Sequence, residues 1–389
     1  MRAVQILQRQ FESDLKGVHL ARVRVLFAAA FTLLRSGRLS LTSLGRAIAV
    51  GTSPKHGIKR IDRLLGNTKL HAEQVIFYRA IARRLIAPAS RPVLLVDWTA
   101  VTPQLWALVA AVCFEGRALI VYAEAHPISR YLKPHVNEAF LRNLQAVLPA
   151  ACVPIVVADA GFRTPWMRLV KTFGWDYVVR ARAPARVRRD RTHGWQDIEN
   201  IWRHARTTPS DLGSYEIGIH VRYPSRFVGI RRRERKMFRP AKRDFGTARQ
   251  LRNAREPWIL ATSLTCGPAK VIAIYKRRMQ IEETFRDAKS TRFGLSMGHA
   301  RTRSEHRANV LLLLASFAHL VAVLLGLAAE AMHLQRRFQA NTVTNRRVLS
   351  LAMLGRLFAA STPDARLKPA LSGASWKALA LRAQAALPS

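Results

Sequence analysis

The chain has 389 residues, with 64 lysines and arginines against 24 aspartates and glutamates, so its formal net charge is +40. This excess excludes an acidic scaffold and predicts a polyanionic partner, because solubility alone requires far less charge. Hydrophobic residues make up 49% of the chain, which excludes a disordered polycation, and the length favours two or three packed domains.

Residues 1–90 are predicted to form short helices, because apolar residues recur at helical spacing and glycines punctuate them at Gly45, Gly51, Gly57 and Gly66. A helix over 41–50, a turn at Gly51 and a second helix starting at Ser53-Pro54 form a helix-turn-helix-like pair. The second helix carries four cations, which are Lys55, Lys59, Arg60 and Arg63. We predict that these cations contact DNA; the alternative is a small helical bundle with a solvated basic face.

From residue 91 the pattern changes to that of a mixed α/β sheet. Strands are predicted at 93–96, 106–114, 118–123, 154–158 and 176–179, with a hairpin turn at Glu115-Gly116. Helices are predicted at 138–148 and 165–173. The order gives antiparallel strands first and then strands that alternate with helices.

Residues 181–256 are predicted to be a β-rich basic insertion. They contain alternating runs at 215–223 and 226–230 and an arginine block at 231–233. An apolar strand at 258–261 and a long helix over 268–286 then resume the α/β unit.

The run 310–329 is almost entirely apolar and long enough to span a bilayer. Because Ser316 and His319 interrupt it and no second span is predicted, we favour a buried core helix over a membrane segment. A basic helical region follows, and the sequence does not place its last residues, from about 362.

The cysteines indicate a reducing cytosol. Cys113, Cys152 and Cys266 lie far apart in apolar runs, without the spacing of a zinc site. No signal peptide is predicted at the N-terminus.

Two acids are predicted to belong to a metal site. Acidic residues are scarce, and Asp97 directly follows the apolar run 93–96 while Asp159 directly follows 155–158. Both carboxylates are therefore expected at the C-terminal ends of buried strands, where α/β sheets place their sites. Taken singly, each has the alternative role of a helix N-cap or turn residue; taken together, they indicate a metal site.

A third acid is expected on the helix after the insertion. At about 100° per residue, Tyr275, Arg278, Glu282 and Lys289 fall within roughly 60° of arc on one helix face, whereas Glu283 points away. A face with one carboxylate, two cations and a phenol suits a divalent metal beside a phosphodiester. The alternative is a surface helix with ion pairs.

Asp97, Asp159 and Glu282, with the pattern Tyr275-x-x-Arg278-x-x-x-Glu282-x-x-x-x-x-x-Lys289 and an insertion before the last acid, resemble a DDE transposase of the insertion-sequence-four family. The resemblance covers residues 91–330 and implies an RNase H-like catalytic core with a β-rich insertion. Residues 1–90 would be a helical DNA-binding domain, and residues 331–389 a helical region that is a candidate for dimerisation.

The resemblance also implies the partners and the cofactor. The partner would be double-stranded DNA, both the terminal inverted repeats of an insertion sequence and the target, held by a homodimer in a synaptic complex. No membrane partner is expected, and the location would be cytoplasmic, associated with a bacterial nucleoid. Two Mg²⁺ or Mn²⁺ ions per active site are expected.

Electrostatics supports the metal expectation. Three carboxylates at one point repel each other by on the order of 4 kcal/mol per pair at about 4 Å and an effective dielectric constant of about 20, so they require cations. Oxygen ligands select hard ions, and two ions about 3.5–4 Å apart support in-line displacement at phosphorus.

Five residues are expected to contact DNA near the cleaved bond. Arg278 and Lys289 would bind phosphates, and Tyr275 would donate a hydrogen bond to one. The resemblance implies that Trp258 stacks on an extruded base. The alternatives are that Trp258 is a core tryptophan, or that Trp195 or Trp202 in the insertion takes this role. Arg163 follows Asp159 closely enough to reach a phosphate.

Two other functions stay open from the sequence. One is another RNase H-like metal-dependent nuclease that acts on a different nucleic acid, because the fold alone does not decide the substrate. The other is a non-catalytic DNA-binding relic of a transposase, for which the charge alone would account. The Tyr275, Arg278 and Lys289 pattern and the long insertion favour the transposase.

Overall fold

A computed structural model describes residues 2–49, 51–231, 256–290, 295, 301–340, 342–343 and 345–385. The chain divides into two compact units, of which the first contains residues 1–152 and 280–387 and the second contains residues 153–279. The two units are defined by which residues pack against each other, and not by function. The functional domains expected at 1–90, 91–330 and 331–389 stay predictions.

The elements are numbered in chain order. The helices are α1 (Arg2–Phe11), α2 (Leu20–Ser36), α3 (Leu41–Ile48), α4 (Pro54–Leu65), α5 (Thr68–Leu85), α6 (Pro134–Val147), α7 (Thr164–Thr172), α8 (Pro268–Lys276), α9 (Met279–Lys289), α10 (Glu305–Ala331), α11 (Gln335–Phe338), α12 (Leu351–Ser361) and α13 (Gly373–Ala385). The strands are β1 (Val93–Ala100), β2 (Leu105–Phe114), β3 (Arg117–Pro127), β4 (Ile155–Ala158), β5 (Asp176–Ala181), β6 (Arg186–Arg188), β7 (Gln196–Asp197), β8 (Ser210–Ile217), β9 (Tyr223–Ile230) and β10 (Trp258–Thr262).

The first unit begins with helices, as predicted, but two of the glycines have a different role. Gly51 forms the expected turn with φ of +76°, and Gly66 follows the end of α4. Gly45 and Gly57 instead lie inside α3 and α4, where a Cβ on Gly57 would come within 2.0 Å of the Gly45 carbonyl oxygen. The two glycines therefore allow a close helix crossing and do not end the helices.

Strands β1, β2 and β3 form an antiparallel arrangement in the order β3-β2-β1. The β2–β3 hairpin turns at Glu115 and Gly116, whose φ values are +42° and +80°. Two consecutive residues with positive φ give the turn type whose twist matches the flanking strands. The predicted hairpin is confirmed.

Helix α10 is the core of the first unit. In its most apolar stretch 94% of the residues are buried, and it packs against α2, α5, α12 and β3. Its length and hydropathy would also suffice to cross a membrane. The burial confirms the predicted core helix.

The C-terminal residues that the sequence did not place continue this core. Helix α12 crosses α10 so closely that a Cβ on Gly355 would lie 1.8 Å from the Ala322 carbonyl oxygen. Two short 3₁₀ segments, Asp364–Leu367 and Pro369–Leu371, then lead to α13.

In the second unit the strand order is β4-β5-β10-β9-β8-β6-β7. Strands β4 and β5 are parallel and the other neighbours are antiparallel. The mixed α/β architecture is therefore confirmed, and it is compatible with an RNase H-like core. The predicted insertion is β-rich over its described residues, 181–231, and the remainder of the arginine block lies outside them.

Two predicted elements are interrupted. The run 215–223 contains a turn, because β8 ends at Ile217 and β9 begins at Tyr223, with Gly218 at a φ of +86°. The predicted helix over 268–286 is two helices, α8 and α9. At the break the Arg278 N–H donates to the Tyr275 carbonyl at 2.9 Å. This i to i−3 hydrogen bond closes a tighter turn than the i to i−4 bonds of an α-helix.

Candidate active site

Asp97 lies inside strand β1 and not after its end, so the predicted position is wrong. The strand continues to Ala100, with Asp97 opposite Val109 of β2. The Asp97 side chain is half-buried, and its Oδ1 accepts a hydrogen bond from the Trp98 N–H at 2.8 Å. Trp98 points to the opposite face of the sheet, where its ring contacts Tyr131 at 5.4 Å.

Helix α9 carries Glu282 and Lys289 in the same unit. The two residues are two helical turns apart and therefore share one face. Desolvation lowers the pKa of Lys289, and the negative charge of Asp97 opposes that shift. The first unit thus brings Lys289 within electrostatic reach of Asp97. Because α8 and α9 are separate helices, the continuous helix on which the shared face was predicted is wrong, and the shared face of the four signature residues stays a prediction.

Polar contacts fix α9 on the β2–β3 hairpin. The Thr284 hydroxyl accepts from the Ala118 N–H at 2.7 Å and is 3.0 Å from the Ala118 carbonyl, and Gln280 Oε1 accepts from the Phe114 N–H at 3.0 Å. Glu283 forms an ion pair with Arg286 at 2.8 Å. Neither Thr284 nor Gln280 was predicted, because the contact joins residues 166 positions apart.

In the second unit Asp159 directly follows β4, as predicted. Its carboxylate is half-buried and accepts a hydrogen bond from the Gly161 N–H at 2.8 Å. Within the described part of the chain it forms no ion pair, and its other oxygen accepts no hydrogen bond. Arg163 is exposed at the N-cap of α7, and its contact with phosphate stays a prediction.

Tyr275, Arg278 and Trp258 gather in this unit. The Trp258 and Tyr275 rings meet edge to face at 5.1 Å, and the Arg278 guanidinium lies 5.9 Å from the Tyr275 ring centroid. Burial raises the pKa of Tyr275; the charges of Arg278 and Arg180 oppose the rise, and Asp159 adds to it. The phenol therefore stays protonated and can donate a hydrogen bond, while Trp258 is half-buried.

Arg180 is a site residue that the sequence analysis missed. It lies on β5 beside Tyr275, its side chain is 15% exposed, and it pairs with Glu256 at 3.2 Å. Desolvation lowers its pKa, and the negative charge of Glu256 is among the effects that oppose this shift. A cation inside the apolar run Tyr177–Ala181 was the signal that would have found it, because a buried charge requires a partner.

The three acids are distributed over both units, with Asp97 and Glu282 in the first and Asp159 in the second. The described residues contain no group of three or more His, Cys, Asp or Glu side chains that could hold a metal ion. The convergence of the acids stays a prediction. Their oxygen donors, and the uncommitted oxygen of Asp159, fit a hard divalent cation.

The family model described as transposase DDE domain matches residues 88–320, more than half of the chain. The chain belongs to this family. The matched segment covers nearly the same residues as the predicted catalytic region and contains every residue of the predicted signature. The chain matches none of the curated proteins with which it was compared.

Membership of the transposase family confirms the DDE transposase prediction and indicates transposase activity. Members of this family generally use divalent metal ions, which agrees with the expected cofactor class.

The predicted DNA-binding cations of this transposase are all at the surface of α4. Lys55, Lys59, Arg60 and Arg63 are exposed, whereas Ile61 is fully buried on the other side of the helix. Pro54 is the first helical residue and Ser53 occupies the N-cap position, although its side chain forms no capping hydrogen bond. The charges are available to a partner, and contact with DNA stays a prediction.

Proposed function

We propose that this protein is the transposase of an insertion sequence, in the subgroup of the insertion-sequence-four family that carries the Tyr-Arg-Glu-Lys signature. It binds the terminal inverted repeats and catalyses metal-dependent cut-and-paste cleavage and strand transfer. The observation that supports this function best is the grouping of Asp159, Tyr275, Arg278 and Trp258 in the second unit. An acid with an uncommitted oxygen, a protonated phenol, a guanidinium and a half-buried tryptophan suit a strained DNA end.

Asp97, Asp159 and Glu282 would hold two Mg²⁺ or Mn²⁺ ions. Bound ions supply charge neutralisation and activate the attacking oxygen during in-line displacement. The carboxylates need no covalent intermediate with DNA, because the attacking group is water or a DNA hydroxyl.

The other signature residues hold the DNA. Arg278 binds a phosphate as a planar fork, and Tyr275 donates its proton as a hydrogen bond to a phosphate oxygen. Lys289, beside Asp97, contributes a positive point charge that binds another phosphate of the DNA. These contacts position the phosphodiester for attack.

The reaction proceeds through a hairpin. Water cleaves the phosphodiester at the element end and frees its 3′-hydroxyl. This hydroxyl attacks the opposite strand, which forms the hairpin bond and releases the flanking DNA with its own 3′-hydroxyl. Water then hydrolyses the hairpin bond and restores the 3′-hydroxyl of the element, which attacks target DNA and displaces a 3′-oxygen of the target strand. Closing the hairpin strains the terminal bases, and Trp258 stacks on the extruded base, a contact worth about 1–3 kcal/mol.

Helix α4 binds the terminal repeats through Lys55, Lys59, Arg60 and Arg63, and two copies of the chain hold the two element ends together. The helical region 331–389 is the candidate for the contact between the copies.

Adjacent acids on α9 give a matched test of the function. The substrate is linear DNA carrying the two segments that flank the reading frame, incubated with Mg²⁺. Glu282→Gln should bind this DNA as the wild type does and leave it uncut. Glu283→Gln, which alters an ion pair with Arg286, should cut normally.

The outcomes separate the competing functions. If Glu282→Gln cut the DNA as well as the wild type does, Glu282 would not belong to the catalytic site. Wild-type protein that binds the ends and never cuts them would be a relic, and equal cutting of DNA that lacks the flanking segments would indicate another nuclease. Trp258→Ala should nick normally and form fewer hairpins, with Trp258→Phe intermediate; unchanged hairpin yield would contradict the stacking role.

A further inference from the structure

A cavity in the second unit lies apart from the signature residues. It has a volume of about 680 Å³ and opens between the 3₁₀ segment Ile198–His204 and strand β8. Four of its lining residues carry basic side chains, which are Arg189, Arg203, His204 and Arg206. All four are exposed.

The arginines of this cavity carry charges that no described acid neutralises. Some other arginines of the insertion are held by acids, as in Arg188 with Glu216 at 2.6 Å and Arg182 with Glu256 at 2.7 Å. Arg189, Arg203 and Arg206 form no ion pair with any residue in the described ranges. The structure therefore gathers three uncompensated guanidinium groups around one concave surface.

The acid that lines the cavity is already neutralised. Asp211 accepts from Arg226 Nε at 2.8 Å and from Arg226 Nη2 at 2.6 Å. The Nη1 of the same arginine donates to the carbonyls of Leu264 at 2.9 Å and Cys266 at 2.7 Å. Arg226 is thereby committed to the fold, and the Asp211–Arg226 pair leaves the positive potential of the other three arginines unopposed.

The N-terminus of α8 also borders the cavity. Pro268, the first residue of this nine-residue helix, lines the cavity, and the positive end of the helix dipole adds to the positive potential there. Tyr215 lines the inner side of the cavity and is held in place, since it is buried and packs edge to face on Phe227 at 5.6 Å.

We infer that this cavity binds the phosphate backbone of duplex DNA. Guanidinium groups bind phosphate oxygens as forks, and an open, basic and mainly polar surface fits a backbone better than a small enclosed ligand. The choice of DNA as the polyanion rests on the proposed function.

The strand order separates this contact from the cleavage site. Strands β5, β10 and β9 lie between β4, which leads to Asp159, and β8. Four strand spacings of about 4.8 Å give on the order of 20 Å, or about six base pairs at roughly 3.4 Å each. The cavity therefore holds DNA that flanks the reacting phosphodiester, and its arginines position the substrate without touching the reacting atoms.

A charge-matched pair of double variants tests the inference. Arg203→Gln with Arg206→Gln removes two charges from the cavity, and Arg168→Gln with Arg222→Gln removes two exposed charges of the same unit that do not line it. Full-length proteins are titrated with a 30-base-pair duplex of arbitrary sequence, without metal, at several salt concentrations. The cavity variant should lose affinity on the order of tenfold near 0.1 M salt, and its salt slope should fall by about two.

The control variant should keep the wild-type slope, and both variants should keep the wild-type melting temperature. Equal losses in the two variants would reduce the effect to net charge and overturn the inference. A larger loss for a duplex RNA than for the DNA would overturn the choice of partner. Because this binding requires no cleavage, a protein that fails to cut element ends would refute the proposed function and leave this result standing.

Discussion

The two units differ in how their cores are built and agree in how their acids are used. The first is built around α10, whose long apolar run is buried, and around helix crossings that only glycine permits. The second is built on a mainly antiparallel sheet. In both units most described acids form ion pairs with a lysine, an arginine or a histidine. In a chain with a net charge of +40, such pairing consumes the acids and leaves an excess of arginine for a polyanion.

Against that background Asp159 stands apart. Among the described acids of the second unit, only Asp159 and Glu199 form no ion pair. Glu199 is exposed, whereas Asp159 is half-buried beside Tyr275, where leaving a charge unpaired costs free energy. The comparison therefore singles out Asp159 as the candidate among these acids for binding a ligand.

The largest expected effect follows from this contrast. Asp159→Asn keeps the side-chain shape but removes a charge that the proposed metal ions require. Cleavage of element ends should fall at least about a thousandfold, equivalent to about 4 kcal/mol in the activation free energy. Single-turnover cleavage with Mg²⁺ measures the loss, and gel shift should show unchanged binding.

Glu199→Gln is the control, because it removes the other unpaired acid of the same unit. It should cut at the wild-type rate. If Asp159→Asn and Glu199→Gln lost activity equally, the distinction between Asp159 as a ligand-binding acid and Glu199 as a surface acid would be wrong.

Packing in the first unit predicts the next largest effect. Gly355→Ala would place a Cβ 1.8 Å from the Ala322 carbonyl oxygen, so α12 must move away from α10. Overpacking of this kind typically lowers the free energy of unfolding by about 1–3 kcal/mol, occasionally more. Urea denaturation measures it. Gly373→Ala, where a Cβ meets nothing within 4 Å, should leave stability unchanged or slightly raised.

His319 is a polar exception in the apolar core. It is buried on α10, its Nε2 has no hydrogen-bond partner within the described residues, and desolvation lowers its pKa to about 4. The unfolded state takes up a proton below pH about 6.5 while the folded state does not until pH about 4, so stability falls as the pH drops between these values. Removing this group should therefore help more in acid than at neutral pH.

His319→Leu should raise the free energy of unfolding by about 1–3 kcal/mol, because the orphaned ring nitrogen is removed. The gain at pH 5 should exceed the gain at pH 8, as measured by urea denaturation at both values. Ser316→Ala, on the same helix and without a group that titrates in this range, should change stability equally at both pH values. A pH-independent gain for His319→Leu would assign the effect to packing alone.

Elements of the fold that neighbouring residues decide could be predicted from the sequence, whereas elements that depend on distant residues could not. The Glu115-Gly116 turn and the buried run 310–329 were predicted because neighbouring residues decide them. The turn after Ile217 was missed because the alternating pattern continues through it. Gly57 was misinterpreted because a glycine in a helix permits either an end or a close crossing, and only the partner helix decides.

The same rule holds for the candidate site. Asp159 was placed correctly, since its position follows from the strand that precedes it. The continuous helix predicted over 268–286 was wrong because neither a glycine nor a proline marks the break at Arg277 and Arg278 in the sequence. Arg180 was missed because its role comes from Tyr275 and Glu256, which are distant in the chain.

The smallest expected effect tests whether the ion pairs of the second unit stabilise it. Arg188 and Glu216 lie opposite each other on β6 and β8 at 2.6 Å, with side-chain exposures of 11% and 24%. A double-mutant cycle with Arg188→Gln and Glu216→Gln should give a coupling free energy of about 0.5–1 kcal/mol, because the pair is cross-strand and partly shielded from water. The exposed i, i+4 pair Glu138 and Arg142 of the first unit should give about 0.3–0.5 kcal/mol. Both couplings should weaken with salt, the exposed one more. A coupling for Arg188 and Glu216 no larger than that of the helix pair would mean that pairing in the second unit arranges its charges without stabilising the fold.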